Sequence, residues 1–213
     1  SWPRVASTAR GSSESGYFIA RTVREGCVTK DVLIKERTVR DMAIKDLPGL
    51  TPDGQIYFDH DMQVTEAMLP PGPWATAHGP GLLKTPAGTL LCCWFAGTFE
   101  GDTDINIVVS RLEKGADAWS EPTYISHNND RSDQNPSLFL TPGGGIWAMY
   151  TSQLGRQPGK NNMQYTSVIK RQISFDDGKT WSKPEVMFAD EGTFARQPIQ
   201  VLSNGRWIYG LWL

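Results

Sequence analysis

One pattern recurs three times along this chain and constrains its fold more than any other feature. A polar residue and a proline two positions later introduce a short apolar stretch, a glycine turn and an apolar strand. His78-Gly79-Pro80 leads through Ala87-Gly88 to residues 90–95. Gln134-Asn135-Pro136 leads through Gly143-Gly145 to residues 146–150. Arg196-Gln197-Pro198 leads through Asn204-Gly205 to residues 206–213. The prolines are 56 and 62 residues apart. That period without helix signals suits a four-stranded antiparallel blade with generous loops, repeated around an axis.

The intervening sequence agrees. From about Met62 onward, apolar runs of strand length alternate with Gly, Pro, Asn and Asp turn signals, and no helical period separates them. The expected class is all-β. Within the second repeat stands Ser174-Phe175-Asp176-Asp177-Gly178-Lys179-Thr180-Trp181, the pattern Ser-x-Asp-x-Gly-x-Thr-Trp. It predicts a tight turn in which Asp176 accepts turn N–H groups, Gly178 takes a positive φ and Trp181 folds back as a buried cap. A degenerate copy runs from Ser110 through Gly115 to Trp119-Ser120-Glu121-Pro122 and lacks the aspartate.

Together these segments resemble the sialidase superfamily of Asp-box (BNR repeat) propellers. The resemblance covers about residues 74–213 and rests on Ala77-His78-Gly79-Pro80, residues 94–101, 134–139 and Arg196-Gln197-Pro198, with the Asp-box. It implies a β-propeller of six or seven blades, of which two full blades and part of a third fall within this chain, so the chain reads as a fragment. Two domains are expected: residues 1–60, a segment of flexible or edge-strand character with a polar run at 7–15, and residues 61–213, the partial propeller.

Composition excludes little but narrows the partners. The chain has 213 residues and a net charge of −2, with 21 Lys and Arg against 23 Asp and Glu. No basic block marks a nucleic-acid surface. No apolar run reaches the roughly 18–20 residues of a membrane span. No secretory leader is read in residues 1–20, whereas the resemblance implies a secreted or periplasmic protein. Cys27, Cys92 and Cys93 contain no CxxC pair. Cys92 and Cys93 are expected as small buried hydrophobes on opposite faces of one strand. Trp94, Trp119, Trp147, Trp181 and Trp207 are expected as blade core and turn caps.

Strand parity places the candidate chemistry. The entry to strand one and the loop between strands two and three lie opposite the Asp-box, at what the resemblance implies is the mouth. His78, Gln134 and Arg196 should therefore form an arc there, joined by Asn135. Tyr150 should end strand two at the same rim. The strand two–three loops add Glu100, Asp102 and Asp104 in one blade, and Gln153, Arg156 and Lys160 in the next. The three carboxylates could hold a cation such as calcium or supply a general acid or base; no cofactor is otherwise expected. The loop at residues 127–133 faces the same way with ordinary polar composition, and His60 precedes the repeat.

The resemblance implies action on a glycan. One reading is a sialidase-like exo-glycosidase cleaving a terminal bond of an acidic glycan. A second is a polysaccharide lyase with His78 as base, Arg196 neutralising a uronate and Tyr150 as acid. A third is a glycan-binding propeller without catalysis. In these readings His78, Arg196, Tyr150 and Glu100 are the catalytic candidates. Gln134, Asn135, Asp102, Gln153 and Arg156 are the substrate contacts, with no metal ligand among them.

Overall fold

A computed structural model of the chain describes residues 5–7, 19–23, 51–59, 64–160 and 163–213. Cys27, His60 and most of the segment before residue 51, including residues 8–15 of the polar run, lie outside the described residues. The described chain is built of antiparallel strands; its helical content among those residues is one 3-10 turn, Gln164–Thr166.

The two expected blades are present. The first is β5 (Thr76–Lys84), β6 (Leu90–Gly97), β7 (Asn106–Leu112) and β8 (Thr123–Tyr124), in that spatial order. The second is β9 (Arg131–Leu140), β10 (Ile146–Leu154), β11 (Val168–Ser174) and β12 (Glu185–Phe188), again in sequential order. A third sheet begins as one interrupted hairpin. In it β13 (Phe194–Ala195) pairs with β16 (Leu211–Trp212), and β14 (Gln200–Val201) pairs with β15 (Trp207–Ile208).

The repeat is repeated in hydrogen bonds. In each first hairpin the same turn closes: Thr85 N–H donates to Thr89 O, Thr141 N–H to Gly145 O, and Leu202 N–H to Arg206 O, all at 2.8–2.9 Å. Gly88, Gly144 and Gly205 each return an N–H to the first turn residue, with φ of 94°, 86° and 77°. Only glycine adopts that backbone without strain, which is why each turn carries one.

The proline triplets do not precede the first strands; they interrupt them. β5 and β9 begin earlier than the apolar runs suggest, and their register shifts across His78/Gly81 and opposite Met149/Thr151. Proline removes a ladder donor, so it sits at a bulge. The residue before it turns left-handed, φ 63° at Gly79 and 51° at Asn135. Gly and Asn are the residues that tolerate this conformation.

An additional four-stranded sheet precedes the first blade. It comprises β1 (Val5–Ser7), β2 (Ile19–Val23), β3 (Tyr57–Asp59) and β4 (Val64–Met68), ordered β1-β2-β4-β3. It runs across the boundary expected at residue 60 and departs from sequential blade order. Its β4 residue Ala67, with Leu69, packs against Ala77, Cys92, Trp94, Val108 and Trp119 of the first blade. Leu91, Cys93 and Val109 pack in turn against Leu138, Ile146 and Ala148 of the second. Phe139 and Met149 continue to Ile199 of the third sheet. Sheets thus stack face to face in series. Both faces of β6 and β10 are covered, so β6 and the first half of β10, residues 146–150, are apolar runs rather than alternating ones. Cys92 and Cys93 serve opposite interfaces as small buried hydrophobes, and burial pushes both thiols up, Cys93 to about 12.

The Asp-box geometry is specific. Asp176 Oδ1 accepts the N–H groups of Lys179 (3.1 Å) and Thr180 (2.8 Å), and Oδ2 accepts the Thr180 hydroxyl at 2.5 Å. The next residue docks the turn on the first blade. The Asp177 side chain accepts from the Thr89 hydroxyl, and its backbone carbonyl accepts from Arg111 Nε at 3.0 Å. The degenerate copy keeps the same frame: Ser120 and Ser182 hydroxyls accept from Arg111 and Ile173 N–H groups, each at 3.0 Å. Trp119 is buried because Gly54 and Gln55 of the preceding segment pair over it. Trp181 packs on the Leu91–Leu138 interface but is only half-buried. Trp207 is more exposed still.

Candidate functional site

Strand direction puts the β6–β7 loop, residues 98–105, and the β10–β11 loop, residues 155–167, on the face opposite the Asp-box. They are sewn together there. Arg156 N–H donates to Gly101 O at 2.7 Å, and Gly155 N–H to Asp130 O at 2.8 Å. The Arg156 guanidinium reaches across to the first blade: Nη2 donates to Glu100 O at 2.8 Å, Nε lies 3.4 Å from Asp102 Oδ1, and the group stacks 4.5 Å above the Phe99 ring. Arg156 is therefore a strap between blades as well as a cation, with two of its five donors committed.

Under this strap lies a cleft of about 190 Å³ lined by Glu100, Gly101, Gln134, Gln153, Arg156, Lys160, Met163 and Gln164. Its floor is amide. Gln134 is buried on β9, and its Nε2 donates to Ser132 at 2.9 Å. Gln153 on β10 is 6% exposed, and its Oε1 has no hydrogen-bond partner among the described residues. Both side chains share one face because Gln153 stands opposite Ser132 in the β9–β10 ladder and Gln134 opposite Thr151. Lys160 forms the basic wall beside Arg156, its Nζ donating to the Tyr165 hydroxyl at 3.1 Å. The arrangement offers acceptors and donors to hydroxyl groups, positive charge to an anionic substituent, and one carboxylate, Glu100.

The structure thus brings Gln134, Gln153, Glu100 and Arg156 together and leaves the other candidates outside. His78 is exposed on β5 and stacks on Phe95 at 5.6 Å between centroids, away from the cleft lining. Arg196 is exposed just after β13 and does not line the cleft either. Asn135 serves the backbone as the left-handed residue of the bulge. Asp102 is ion-paired to Arg156, and Asp104 accepts from Thr98 N–H and hydroxyl at 2.9 and 2.6 Å. These carboxylates are loop-closing groups; no cluster of three metal-type ligands occurs among the described residues.

Tyr150 requires a correction. It is 0% exposed in mid-β10, packed with Phe95, Ile105 and Ile107, and its hydroxyl donates to Gln172 Oε1 at 3.0 Å. Burial pushes its ionisation far up. The apolar run at 146–150 suggests a strand that ends at the rim, but the strand continues through polar residues to Leu154.

Reading the sequence alone also missed Asp133. It is 0% exposed between the blades and accepts from the Asn128 amide, whose Oδ1 in turn accepts from Lys170 at 3.2 Å. Burial pushes its carboxyl up, against the pull of Ser152 and Lys170. Its run of polar neighbours has the composition of a loop, and only the bulged extension of β9 takes it inside.

The family model described as the BNR repeat-like domain matches residues 88–212. Comparison with curated proteins finds no match. Among solved structures, the Hadza microbial sialidase Hz136 is similar with a TM-score of 0.54 at 17% identity, covering 68% of this chain and 35% of that one. The NanB sialidase from Streptococcus pneumoniae is similar with a TM-score of 0.54 at 12% identity, covering 76% and 43%. The chain therefore spans less than half the length of these structures, and at such identities the likeness is one of fold.

Proposed function

Because this chain belongs to the BNR repeat-like domain family, with the fold of the sialidase propellers, we propose that it forms part of a glycan-acting protein and that the cleft between its mouth loops holds a sugar of an acidic glycan. The reaction we assign is sialidase-like removal of a terminal residue. The observation that carries this is the cleft itself: two buried glutamine amides beneath an arginine and a lysine. At about 190 Å³ the cleft has room for one sugar ring.

In this reading Gln134 and Gln153 bind hydroxyl or acylamino groups, Lys160 and the uncommitted edge of Arg156 meet the carboxylate, and Glu100 is the carboxylate available for proton transfer. Lys160 keeps two donors beyond the one given to Tyr165. The lyase reading needs Tyr150 as acid, and a hydroxyl in the core cannot reach a leaving group.

The test is a release screen on the protein with sialylated and uronate-terminated glycans, products read by mass spectrometry. Released terminal acidic sugar supports the reading; an unsaturated uronate would mean elimination, and binding without release a lectin. In parallel, Gln153→Leu is expected to weaken sugar binding about tenfold, ~1.4 kcal/mol, with stability unchanged, because its Oε1 has no partner to lose among the described residues. Unchanged affinity in that variant would place the sugar elsewhere.

A further inference from the structure

Outside the third sheet, the described large hydrophobic side chains that stand exposed include Phe99 and Tyr165, at 55% and 56%. Both belong to the mouth loops. Phe99 precedes the lining residue Glu100, and Tyr165 follows the lining residue Gln164. Each ring carries one of the cleft's two cations: Arg156 lies 4.5 Å over Phe99, and Lys160 5.9 Å from the Tyr165 centroid. An exposed aromatic costs free energy in water, and neither ring is needed to fill a core. Phe175, more exposed than either, sits in the Asp-box turn on the opposite face.

We propose that Phe99 and Tyr165 are stacking platforms that extend the cleft along the mouth, so that the ligand is an acidic oligosaccharide and not a single sugar. This rests on the reading of the cleft as an acidic-sugar site. Pyranose rings present C–H faces that pack on aromatic rings. The two cations that line the cleft select a chain bearing negative charge, by electrostatic complementarity. The acidic residue then occupies the cleft, and neighbouring sugars lie on the rings. Cation–π contact holds Phe99 beside Arg156, and the Tyr165 hydroxyl accepts from Lys160 Nζ, so the platforms need little ordering when the chain binds.

The test uses two uncleavable probes on the whole protein: the methyl thioglycoside of sialic acid, and a sialyl trisaccharide with sulfur in place of the scissile oxygen. Calorimetric titration is expected to show the trisaccharide binding at least about tenfold tighter. Phe99→Ala and Tyr165→Ala should each remove threefold or more of that gain and leave the one-sugar affinity within twofold, and Tyr165→Phe should retain the gain. Equal affinity for the two probes, or a gain that survives the double alanine variant, overturns the proposal. So does an equal loss for both probes in the variants, which would mean that the rings only prop the cations. If neither probe binds, the acidic-sugar reading falls together with the platform. If the single sugar binds and the glycan is cleaved without any chain-length gain, the platform alone falls.

Discussion

Asp176 shows what a single side chain does for this fold. Its carboxyl is held at about 2 against an ordinary 3.8, chiefly by the Thr180 hydroxyl and N–H. A depressed acid stabilises the folded state above its unfolded pKa and loses that contribution as pH falls through its folded one. The thermal midpoint of the protein should therefore exceed that of Asp176→Asn by a constant margin above about pH 4, and the margin should close toward about pH 2. A margin independent of pH would show that the turn does not use the charge. Tyr150 makes the converse case. Tyr150→Phe leaves buried Gln172 Oε1 without its donor, a cost of about 1–3 kcal/mol that denaturant unfolding would read. Turnover of the folded variant should match the parent; a loss of turnover at unchanged stability would return Tyr150 to the chemistry.

Between elements, the Asp-box turn is a clasp and not only a cap. Arg111 on β7 holds both the Asp177 carbonyl and, at 3.7 Å, its carboxylate, while Thr89 holds the same carboxylate from the first hairpin. Gly178 sits so close to Leu91 that a Cβ would meet Cδ2 at 2.8 Å. The second blade is thereby keyed into the first. A double-mutant cycle of Arg111→Met with Asp177→Asn should give a coupling of about 0.5–1 kcal/mol by denaturant titration, as for a partly buried pair. Additive effects would mean that the blades are held by apolar packing alone. On the opposite face Arg156 straps the same two blades, so inter-blade geometry and the shape of the cleft are set together.

For the molecule as a whole, the serial packing of sheets leaves the described chain with an apolar flank on its third sheet. Val201, Leu202, Ile208, Leu211, Trp212 and Leu213 are exposed along β14–β16. Such a patch beside a short strand edge favours association. The chain alone should sediment with concentration-dependent association in the micromolar range, and Ile208→Lys with Leu211→Lys should restore a monomer of unchanged β-sheet circular dichroism. A parent chain that remains monomeric at high concentration would show that the flank is shielded in solution.

The all-β blades were legible because their signals are local. A glycine at each hairpin turn, a proline two residues beyond each polar entry residue, and the Asp-box spacing all act through the φ and hydrogen bonding of adjacent residues, which the order of residues alone determines. Loop facing was legible for the same reason, since strand parity assigns Glu100 and Gln153 to the side opposite Asp176. The destination of a polar side chain was not. Tyr150 is buried because β10 runs on past the apolar residues to Leu154, Asp133 is buried because the bulged β9 begins well before Pro136, and His78 and Arg196 stand outside the cleft lining. The sheet of β1–β4 was equally illegible, since β2 pairs with β4 across a long sequence separation and out of serial order. Whether a group meets solvent, a partner strand or a neighbouring blade depends on contacts between residues far apart in the chain, and those only the tertiary structure decides.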